Sequence, residues 1–325
     1  MDRVASIDIG TNTILLLVAE VKKGVLKPLL EKETIVRLGE GLQQTGVLSE
    51  AAMQRGFQTL TRYLEECDAM GARRIFAVGT NPLREAKNAR EFLKRVEEKL
   101  NLPIEILTGE EEAHLSFLAV SRDLGNHKKS MLVVDVGGGS TEFVLGKGDR
   151  VSYWKSLPMG SVRFTEQFLL SDPVREEEWR DMKKKIHEYL EEVPRSRESF
   201  DMVAVGGTAT TLASVELGLQ HFVYEKIHHF VLERKTLKSQ LEGYRSRPLE
   251  ERKKIPGLSS ARADVILAGG TILYISMERF AVPAVLIYKK LQRLDGGFRI
   301  EKSKTCHLTP TTRFTLARRA SSEPE

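Results

Sequence analysis

Two segments of the chain repeat one pattern. The segments DIGTNTILLLV (8–18) and DVGGGSTEFVL (135–145) align without a gap. The alignment matches residues of similar chemistry: Asp8 with Asp135, Gly10 with Gly137 and Thr13 with Ser140. Each segment predicts a strand, an Asp-x-Gly turn and a second strand. Because each also starts a run of three predicted strands, the repeat predicts two related α/β domains that present one glycine hairpin each to a shared cleft.

The segments that follow the repeats predict alternating helices and strands. Ser49 is the predicted N-cap of a helix with apolar residues at helical spacing, and Asn88 with Glu91 predicts a capping box at another. The alternating segment KIHHFVLE predicts a strand in which His228 and His229 are structural rather than catalytic. This alternation is typical of mixed sheets covered by helices, which is an α/β fold.

The length of 325 residues favours two domains over a single core. A polar loop, GNHKKS at 125–130, separates the two repeats. We therefore predict an N-terminal domain at 1–124, a C-terminal domain at 125–288 and an atypical basic tail at 289–325. The simplest interpretation of the tail is a solvated segment, whether disordered or not.

Composition and charge exclude several classes of protein. No run of 18 apolar residues occurs, and the N-terminus lacks a signal-peptide pattern, so a cytoplasmic location without membrane association is expected. Cys67 and Cys306 are far apart without CxxC spacing, which indicates neither a disulfide framework nor a zinc site. The net charge of +5 is concentrated near the C-terminus without interleaved aromatic residues, so no nucleic-acid partner is predicted.

The two glycine turns have a composition suited to phosphate. Glycines allow positive φ angles, so that successive N–H groups can face one anion, and neighbouring hydroxyl and amide groups add donors. The predicted phosphate-binding residues of the turns are Thr11, Asn12, Thr13, Gly137, Gly138, Gly139, Ser140 and Thr141. The alternative interpretation is a plain tight hairpin with polar capping.

Acidic residues flank the second turn. Asp135 and Glu142 cannot bind phosphate directly, so two carboxylates beside a phosphate site imply a bridging divalent cation. Mg²⁺ suits this place because it combines one or two carboxylates with phosphate oxygens and water.

A third glycine motif lies in VAVGGTATTLA (203–213). Gly206, Gly207 and Thr208 stand between a predicted buried strand and a predicted helix. The N-terminus of such a helix presents free N–H groups and a positive dipole to an anion. The motif alone is a weak signal, but the three loops together predict a cleft for phosphate groups.

The motifs DIGTNT, TNPLREA (80–86), TGEEEA (108–113), DVGGGSTE and GGTATTLA resemble, in this order, the exopolyphosphatase and guanosine pentaphosphate phosphohydrolase (Ppx/GppA) family. The resemblance covers about residues 4–287 and implies two ribonuclease-H-like domains of the actin, sugar kinase and chaperone ATPase superfamily, with an interdomain cleft. It also implies a divalent metal, a polyphosphate or guanosine penta- or tetraphosphate substrate, a place in the stringent response and a homodimer. A short form without extra C-terminal helical domains is expected, and beyond Tyr288 the family pattern is lost.

The resemblance assigns two further residues to catalysis. It makes Glu112 the proposed base that activates water. The alternative interpretation is that Glu110, Glu111 and Glu112 only stabilise the N-terminus of a helix, which acidic residues generally do. Arg84 matches the family's arginine that faces the cleft and suits bidentate phosphate contact. Its alternative is an exposed arginine at the start of a helix.

The acids of the two hairpins also match the family. Asp135 and Glu142 correspond to its metal-binding and water-positioning acids, and Asp8 is their counterpart in the first hairpin. The resemblance therefore implies Mg²⁺ or another divalent cation held by Asp8, Asp135 and Glu142, with Glu142 also taking part in catalysis.

Three classes of function remain open at the level of sequence. The first is a Mg²⁺-dependent hydrolase that releases phosphate from the end of polyphosphate or converts pppGpp to ppGpp. The second is a phosphotransferase or ATPase of the same fold, which would need a base pocket and an acceptor site that no motif identifies. The third is a non-catalytic protein that binds polyphosphate or the alarmone.

Overall fold

The computed structural model describes residues 2–22, 25–125, 129–195 and 199–289. The strands are β1 (Asp2–Ile9), β2 (Thr13–Lys22), β3 (Val25–Ile35), β4 (Arg74–Gly79), β5 (Ile104–Ile106), β6 (Ser130–Val136), β7 (Thr141–Lys147), β8 (Arg150–Leu157), β9 (Phe200–Val205), β10 (Val231–Glu233) and β11 (Ala284–Tyr288). The helices are α1 (Leu42–Thr45), α2 (Glu50–Ala69), α3 (Asn81–Glu85), α4 (Ala89–Leu100), α5 (Gly109–Asp123), α6 (Ser161–Phe168), α7 (Glu176–Leu190), α8 (Gly206–Glu216), α9 (Tyr224–Ile227), α10 (Arg234–Arg245), α11 (Leu249–Arg252) and α12 (Ile266–Arg279).

The described strands form two mixed sheets of the same design. The first has the order β3-β2-β1-β4-β5, and the second has the order β10-β11-β9-β6-β7-β8. In each sheet three consecutive strands pair antiparallel, and the first of them continues into parallel neighbours. Without β10, which pairs antiparallel with β11 at an edge, the two sheets have identical order and direction. The predicted internal repeat is therefore confirmed.

Each sheet has its own apolar core. In the first, Leu60 and Tyr63 from α2 and Phe92 from α4 pack with Ile7 and Leu16 of the sheet, all fully buried. Burial of such side chains is the main favourable term in folding, at about 2 kcal/mol for each residue. In the second, the buried residues of α6, α7, α8, α10 and α12 cover one face of the sheet.

Helix α5 covers the other face of the second sheet. Its residues Ala113, Phe117 and Val120 are buried against Val133 of β6 and Val144 of β7. The predicted domain boundary after residue 124 therefore follows a helix that packs on the second sheet, and the boundary itself stays a prediction.

The predicted cap at Ser49 is confirmed, because its side chain accepts a hydrogen bond from the N–H of Ala52. The predicted capping box of Asn88 and Glu91 is wrong. The Asn88 amide instead pairs with both backbone groups of Leu48, at 2.8 and 2.9 Å. A long-range backbone partner therefore replaces the local one that the motif predicted.

The strand predicted for KIHHFVLE is largely wrong. Helix α9 ends at Ile227, His229 adopts a left-handed φ of 65°, and only Val231–Glu233 pairs as a strand. The predicted basic tail lies outside the described residues apart from Lys289. Among the described helices, none has the length and apolar character needed to cross a bilayer.

Candidate active site

The two hairpin loops, residues 10–13 and 137–140, line one cavity of about 150 Å³ between the sheets. All predicted site residues line this cavity except Arg84 and Thr141. The lining residues predicted from the sequence are Asp8, Thr11, Asn12, Thr13, Glu112, Asp135, Gly137, Gly138, Gly139, Ser140, Glu142, Gly206, Gly207 and Thr208. The three glycine loops therefore meet, as the sequence predicts.

The hairpin loops have the same backbone form. The N–H of Gly10 donates to the carbonyl of Thr13, and the N–H of Gly137 donates to the carbonyl of Ser140, both at 3.0 Å. Each loop follows the first strand of its sheet, β1 or β6, so equivalent positions of the two folds bring them together.

The loops touch one another, and this contact requires glycine. A Cβ on Gly138 would lie 2.9 Å from the Cβ of Thr11, and a Cβ on Gly139 would lie 2.0 Å from the Oδ1 of Asn81. Both distances are shorter than atoms tolerate, so only glycine permits the close approach. The second loop is thereby packed directly on the first.

The loops leave donors available to a ligand. Within the described part of the chain, the N–H groups of Thr11, Asn12, Gly138 and Gly139 make no hydrogen bond to a backbone carbonyl. The Asn12 side chain is 6% exposed, yet both polar atoms of its amide lack a partner among the described residues. Buried polar groups are normally paired, so these unpaired groups indicate a polar ligand. The expected positive φ angles are absent, because none of Gly10, Gly137, Gly138 and Gly139 adopts one, so these glycines serve the close approach of the loops rather than a left-handed turn.

The third loop opens helix α8 into the same cavity. Gly206 adopts a φ of +90°, and Val205 caps the helix without a side-chain hydrogen bond. The first N–H groups of α8 are thus available to an anion. The guanidinium of Arg262 covers Gly207, where a Cβ would lie 2.4 Å from its Nη1.

The alternation of side chains along the strands places Asp135 and Glu142 on the face of the second sheet that α5 covers. In β6, Met131 and Val133 pack toward α5, and Asp135 follows them on the same face. Asp135 stands opposite Glu142 in the register of β6 and β7. Because side chains alternate along a strand, both carboxylates point toward α5. The Oγ of Ser116 in α5 donates to Asp135 at 3.1 Å.

Glu142 is the most constrained of these acids. It is 1% exposed, and its Oε1 accepts a hydrogen bond from Ser156 at 2.8 Å. Burial, followed by the negative charges of Glu112 and Asp135, raises the pKa of Glu142 to about 8. Several carboxylates in one buried cavity repel one another, and a cation among them would relieve this repulsion.

The carboxylates of the cavity are donors of the kind that a hard divalent cation prefers, but among the described residues they do not converge to within 4.8 Å of one another as a set of three. Asp8, Asp135 and Glu142 line the cavity, and no cysteine or histidine is found among the described residues that line it. Oxygen ligands favour Mg²⁺, Mn²⁺ or Ca²⁺ over Zn²⁺.

The three glutamates at the start of α5 have separate places. Glu111 forms a capping box with Thr108, whose N–H and hydroxyl donate to it at 2.8 and 2.9 Å. Glu112 is 8% exposed and lines the cavity, where its Oε2 accepts from the Nη1 of Arg84 at 2.8 Å. Glu111 therefore caps the helix, as the alternative interpretation predicted, while Glu112 faces the cavity.

Arg84 and Thr141 do not line the cavity. Arg84 donates to Glu112 and to the carbonyl of Leu107, so it contacts the glutamate rather than the loops. Thr141 is fully buried, and its hydroxyl donates to the carbonyl of Met159 at 2.6 Å. The hydroxyl of Thr141 is therefore directed away from the site that the sequence predicts for it.

Several residues that line the cavity were not predicted from the sequence. Asn81 belongs to the TNPLREA motif and could have been found there, since it immediately precedes a proline at a helix start. Arg262, Lys289 and Glu33 have no local motif, and they reach the cavity through tertiary structure alone. The Nη2 of Arg262 bonds to Glu33 across the two sheets. Burial favours a higher pKa for Glu33, but the charges of Arg262 and Lys289 outweigh it and lower that pKa.

A chain of contacts connects the second domain to Asn81. Arg163 of α6 is 9% exposed, and its Nη2 lies 2.6 Å from the Oε2 of Glu85 in α3. The Oε1 of Glu85 accepts from the Nδ2 of Asn81 at 2.8 Å. The lining residue Asn81 is thus held by an interdomain ion pair.

Comparison with known proteins identifies relatives along most of the chain. A sequence model described as the Ppx/GppA phosphatase family matches residues 17–291. A bifunctional 3-dehydroquinate synthase/phosphatase of Fusobacterium nucleatum subsp. nucleatum is 32% identical over 295 residues. This match covers 87% of the chain but 44% of that relative, so the chain spans less than half of the relative's length.

Solved structures extend the comparison to the fold. The crystal structure of an Aquifex aeolicus member of the Ppx/GppA protein family is 36% identical, with a TM-score of 0.78 over 94% of this chain and 99% of that one. An exopolyphosphatase from Cytophaga hutchinsonii is 24% identical, with a TM-score of 0.84 over 92% and 97% of the two chains, and this match shows the fold alone. The likeness to the Aquifex structure and the matching sheet orders confirm the predicted α/β fold of two related sheets with a cleft between them, and membership of the actin-like superfamily stays a prediction.

Proposed function

Since the chain belongs to the Ppx/GppA phosphatase family, we propose that it hydrolyses phosphoanhydride bonds and releases inorganic phosphate. The substrates we propose are inorganic polyphosphate, pppGpp or both, and the second would place the protein in the stringent response. The contact between the two hairpin loops, with Glu112 beside them in one cavity, is the observation that most strongly supports this function.

The loops would bind the terminal phosphate. The N–H groups of Thr11, Asn12, Gly138 and Gly139 have no backbone acceptor among the described residues, and together with the Asn12 amide they offer donors from both hairpin loops. Charge on the phosphate oxygens is stabilised by such preoriented donors, which need no reorganisation during the reaction. The start of α8 and the guanidinium of Arg262 add positive potential on the remaining side.

Glu112 would accept the proton of the attacking water. A carboxylate acts as a general base when it is held close to the nucleophile, and Glu112 is held by its 2.8 Å contact with Arg84. This contact makes Arg84 a positioning residue in our proposal, in place of the phosphate contact that the sequence suggested. Glu142, whose oxygen lies against Ser156, would orient the same water from β7.

Mg²⁺ or another divalent cation would be held by Asp135, Glu142 and Asp8. When bound, it would supply positive charge to the phosphate oxygens and keep Glu142 ionised. The carboxylates themselves repel an unaccompanied phosphate, which makes the affinity for substrate dependent on the cation.

A larger cavity extends the site on one side. It has a volume of about 490 Å³ and shares Leu15, Glu33, Thr210, Arg262 and Lys289 with the smaller one. An extension of this kind supports a substrate longer than a single phosphate, such as a polyphosphate chain or a nucleotide. Arg262 and Lys289 at the junction suit its negative charge.

The direct test is phosphate release from polyphosphate, pppGpp and ATP, with Mg²⁺ and with a chelator. We expect Mg²⁺-dependent release from at least one of the first two, and a loss of about 100-fold or more in kcat for Glu112→Gln. Glu110→Gln is the matched control, because Glu110 lies on the same helical turn outside the cavity. Full activity of Glu112→Gln would contradict the assigned base.

The same assay separates the other functions. Transfer of phosphate to an acceptor without free phosphate would indicate a phosphotransferase, and tight binding without turnover at any divalent metal would indicate a binding protein. The homodimer expected from the family stays a prediction, which light scattering of the purified protein tests.

A further inference from the structure

Three metal-ligating side chains converge at the far end of α5. Asp123 is the last residue of this helix, and His228 and His229 follow helix α9. The Oδ2 of Asp123 lies 3.2 Å from the Nε2 of His228 and 3.1 Å from the Nε2 of His229. The three ligand atoms lie within 4.8 Å of one another.

These distances match those between ligands of a single metal ion. Zinc bonds of about 2.0 to 2.1 Å in a tetrahedral site separate neighbouring ligand atoms by about 3.3 Å. A six-coordinate ion at about 2.1 Å separates them by about 3.0 Å, so both geometries fit the observed 3.1 and 3.2 Å contacts. Binding of an ion would replace the two hydrogen bonds between Asp123 and the imidazoles, and it would require the two rings, whose centroids lie 3.9 Å apart, to reorient.

The backbone holds the two histidines in this arrangement. Left-handed φ angles are uncommon for residues other than glycine, and His229 adopts one of 65°. Its N–H donates to the carbonyl of Ile287 at 2.9 Å, which ties the turn to β11. Aromatic contacts also fix His228, whose ring stacks on Tyr224 and packs against Tyr288, with both centroids at 4.8 Å. A left-handed conformation at a residue other than glycine costs free energy, and such strained residues occur often at functional sites.

The site is accessible and separate from the phosphate cavity. The side chains of Asp123 and His229 are 34% and 44% exposed, which leaves room for water as additional ligands. Asp123 is 11 residues beyond Glu112 on one helix, which corresponds to about 16 Å along the axis. An ion held here would therefore not take part in phosphate chemistry directly.

We propose that Asp123, His228 and His229 bind one divalent transition-metal ion, with Zn²⁺ as the best match. Two imidazoles and one carboxylate favour zinc over Mg²⁺, which prefers oxygen ligands and is the ion we propose for the carboxylates of the cavity. The Nδ1 of His228 is buried without a partner among the described residues, so the supporting hydrogen bond of strong zinc sites is missing at this ligand. We therefore expect micromolar rather than nanomolar affinity.

The bound ion would connect three elements that pack in or on the second sheet. The end of α5, the turn after α9 and, through His229, strand β11 would be joined at one point. Because the ion binds only the folded arrangement, it would raise the stability of the protein. The expected role is structural, at the end of the helix that carries Glu112 at its beginning.

The test is a titration of the full chain with Zn²⁺ by calorimetry, in millimolar Mg²⁺ so that the cavity carboxylates are occupied. We expect one Zn²⁺ per chain and a rise of the thermal midpoint. In His229→Asn and Asp123→Asn the affinity should fall at least 10-fold and the midpoint should no longer rise. Asparagine suits position 229 because it tolerates a left-handed φ.

Two control variants make the result specific. His114→Asn removes an imidazole of the same helix outside the cluster and should leave zinc binding unchanged. Cys306→Ser removes a possible ligand in the part of the chain outside the described residues and should also leave it unchanged. Absence of binding below millimolar Zn²⁺ would overturn the proposal. Equal affinity in the wild type, His229→Asn and Asp123→Asn would overturn it as well.

Discussion

The Nη1 of Arg84 lies 2.8 Å from the Oε2 of Glu112 and also donates to the carbonyl of Leu107 at 2.8 Å. This nitrogen joins α3 of the first sheet to the helix that packs on the second. Arg84 therefore orients the proposed base, and its own guanidinium does not line the cavity between the sheets.

Replacement of Arg84 should affect turnover more than binding. For Arg84→Met we expect kcat to fall by about 10- to 100-fold with KM changed by less than about threefold, because the base loses its orientation. Arg84→Lys should recover part of the activity, since it keeps a donor and the charge. Steady-state kinetics on the preferred substrate measures both. Arg95→Met, which removes an arginine outside the cavity, is the control, and a rise of KM alone would instead indicate direct phosphate contact.

Because the pKa of Glu142 is raised, we expect the free energy of unfolding to depend on pH when a chelator keeps divalent ions away from the protein. Its folded pKa of about 8 lies above the ordinary 4.5, so the protonated form stabilises the fold. This contribution is complete below pH 4.5 and is lost as the pH rises through 8. Between pH 6 and pH 8.5 we expect the free energy of unfolding to fall by about 2 to 3 kcal/mol from this group.

Urea unfolding with EDTA at the two pH values measures this change. Glu142→Gln should remove most of it, because glutamine cannot ionise. Mg²⁺ should restore stability at the higher pH, where the ionised carboxylates bind it. An identical pH dependence of wild type and Glu142→Gln would show that another group is responsible.

Gly139→Ala should disrupt the contact between the two loops. The new Cβ would lie 2.0 Å from the Oδ1 of Asn81 in α3 and 3.0 Å from the Oγ1 of Thr11 in the first loop, so the second loop must move away from both. We expect kcat/KM for phosphate release to fall by at least about 10-fold, since displaced donors lose their alignment. Gly243→Ala is the matched control, because its Cβ in α10 would meet only the end of the Arg247 side chain. Equal losses in the two variants would contradict a specific role of the loop contact.

The ion pair of Arg163 with Glu85 should contribute measurably to stability. Arg163→Met removes a buried partner and should lower the free energy of unfolding by about 1 to 3 kcal/mol, less than for a fully buried pair because Glu85 is 37% exposed. A double-mutant cycle with Glu85→Gln isolates the interaction in urea unfolding. Lys253→Met breaks an exposed pair with Glu250 and should cost less than about 0.5 kcal/mol. A coupling near zero would refute the pair as a link between the domains.

Local sequence identified the elements whose chemistry depends on near neighbours. The hairpin loops at 10–13 and 137–140 were recognisable because their glycines and strands are adjacent in the chain. The α8 start at Gly206 was recognisable for the same reason. Alternation along β6 and β7 likewise places Asp135 and Glu142 on one face once the hairpin is known.

Sequence patterns did not predict the contacts between residues that are far apart in the chain. Asn88 failed as a helix cap because Leu48, forty residues away, satisfies its amide. Thr141 is directed to Met159, and Arg262 reaches the cavity from a position 249 residues beyond Thr13. Periodicity carries no information about such pairs.

The sequence by itself determined the two related α/β domains and the three loops, because turn chemistry and strand periodicity are local properties. Tertiary structure alone decided that the loops touch, that Arg84 holds Glu112, and that Asp123 meets two histidines. These arrangements depend on how α5 packs across the second sheet and how the two sheets face each other. Such packing is set by the summed burial of many apolar side chains, and no single motif encodes it.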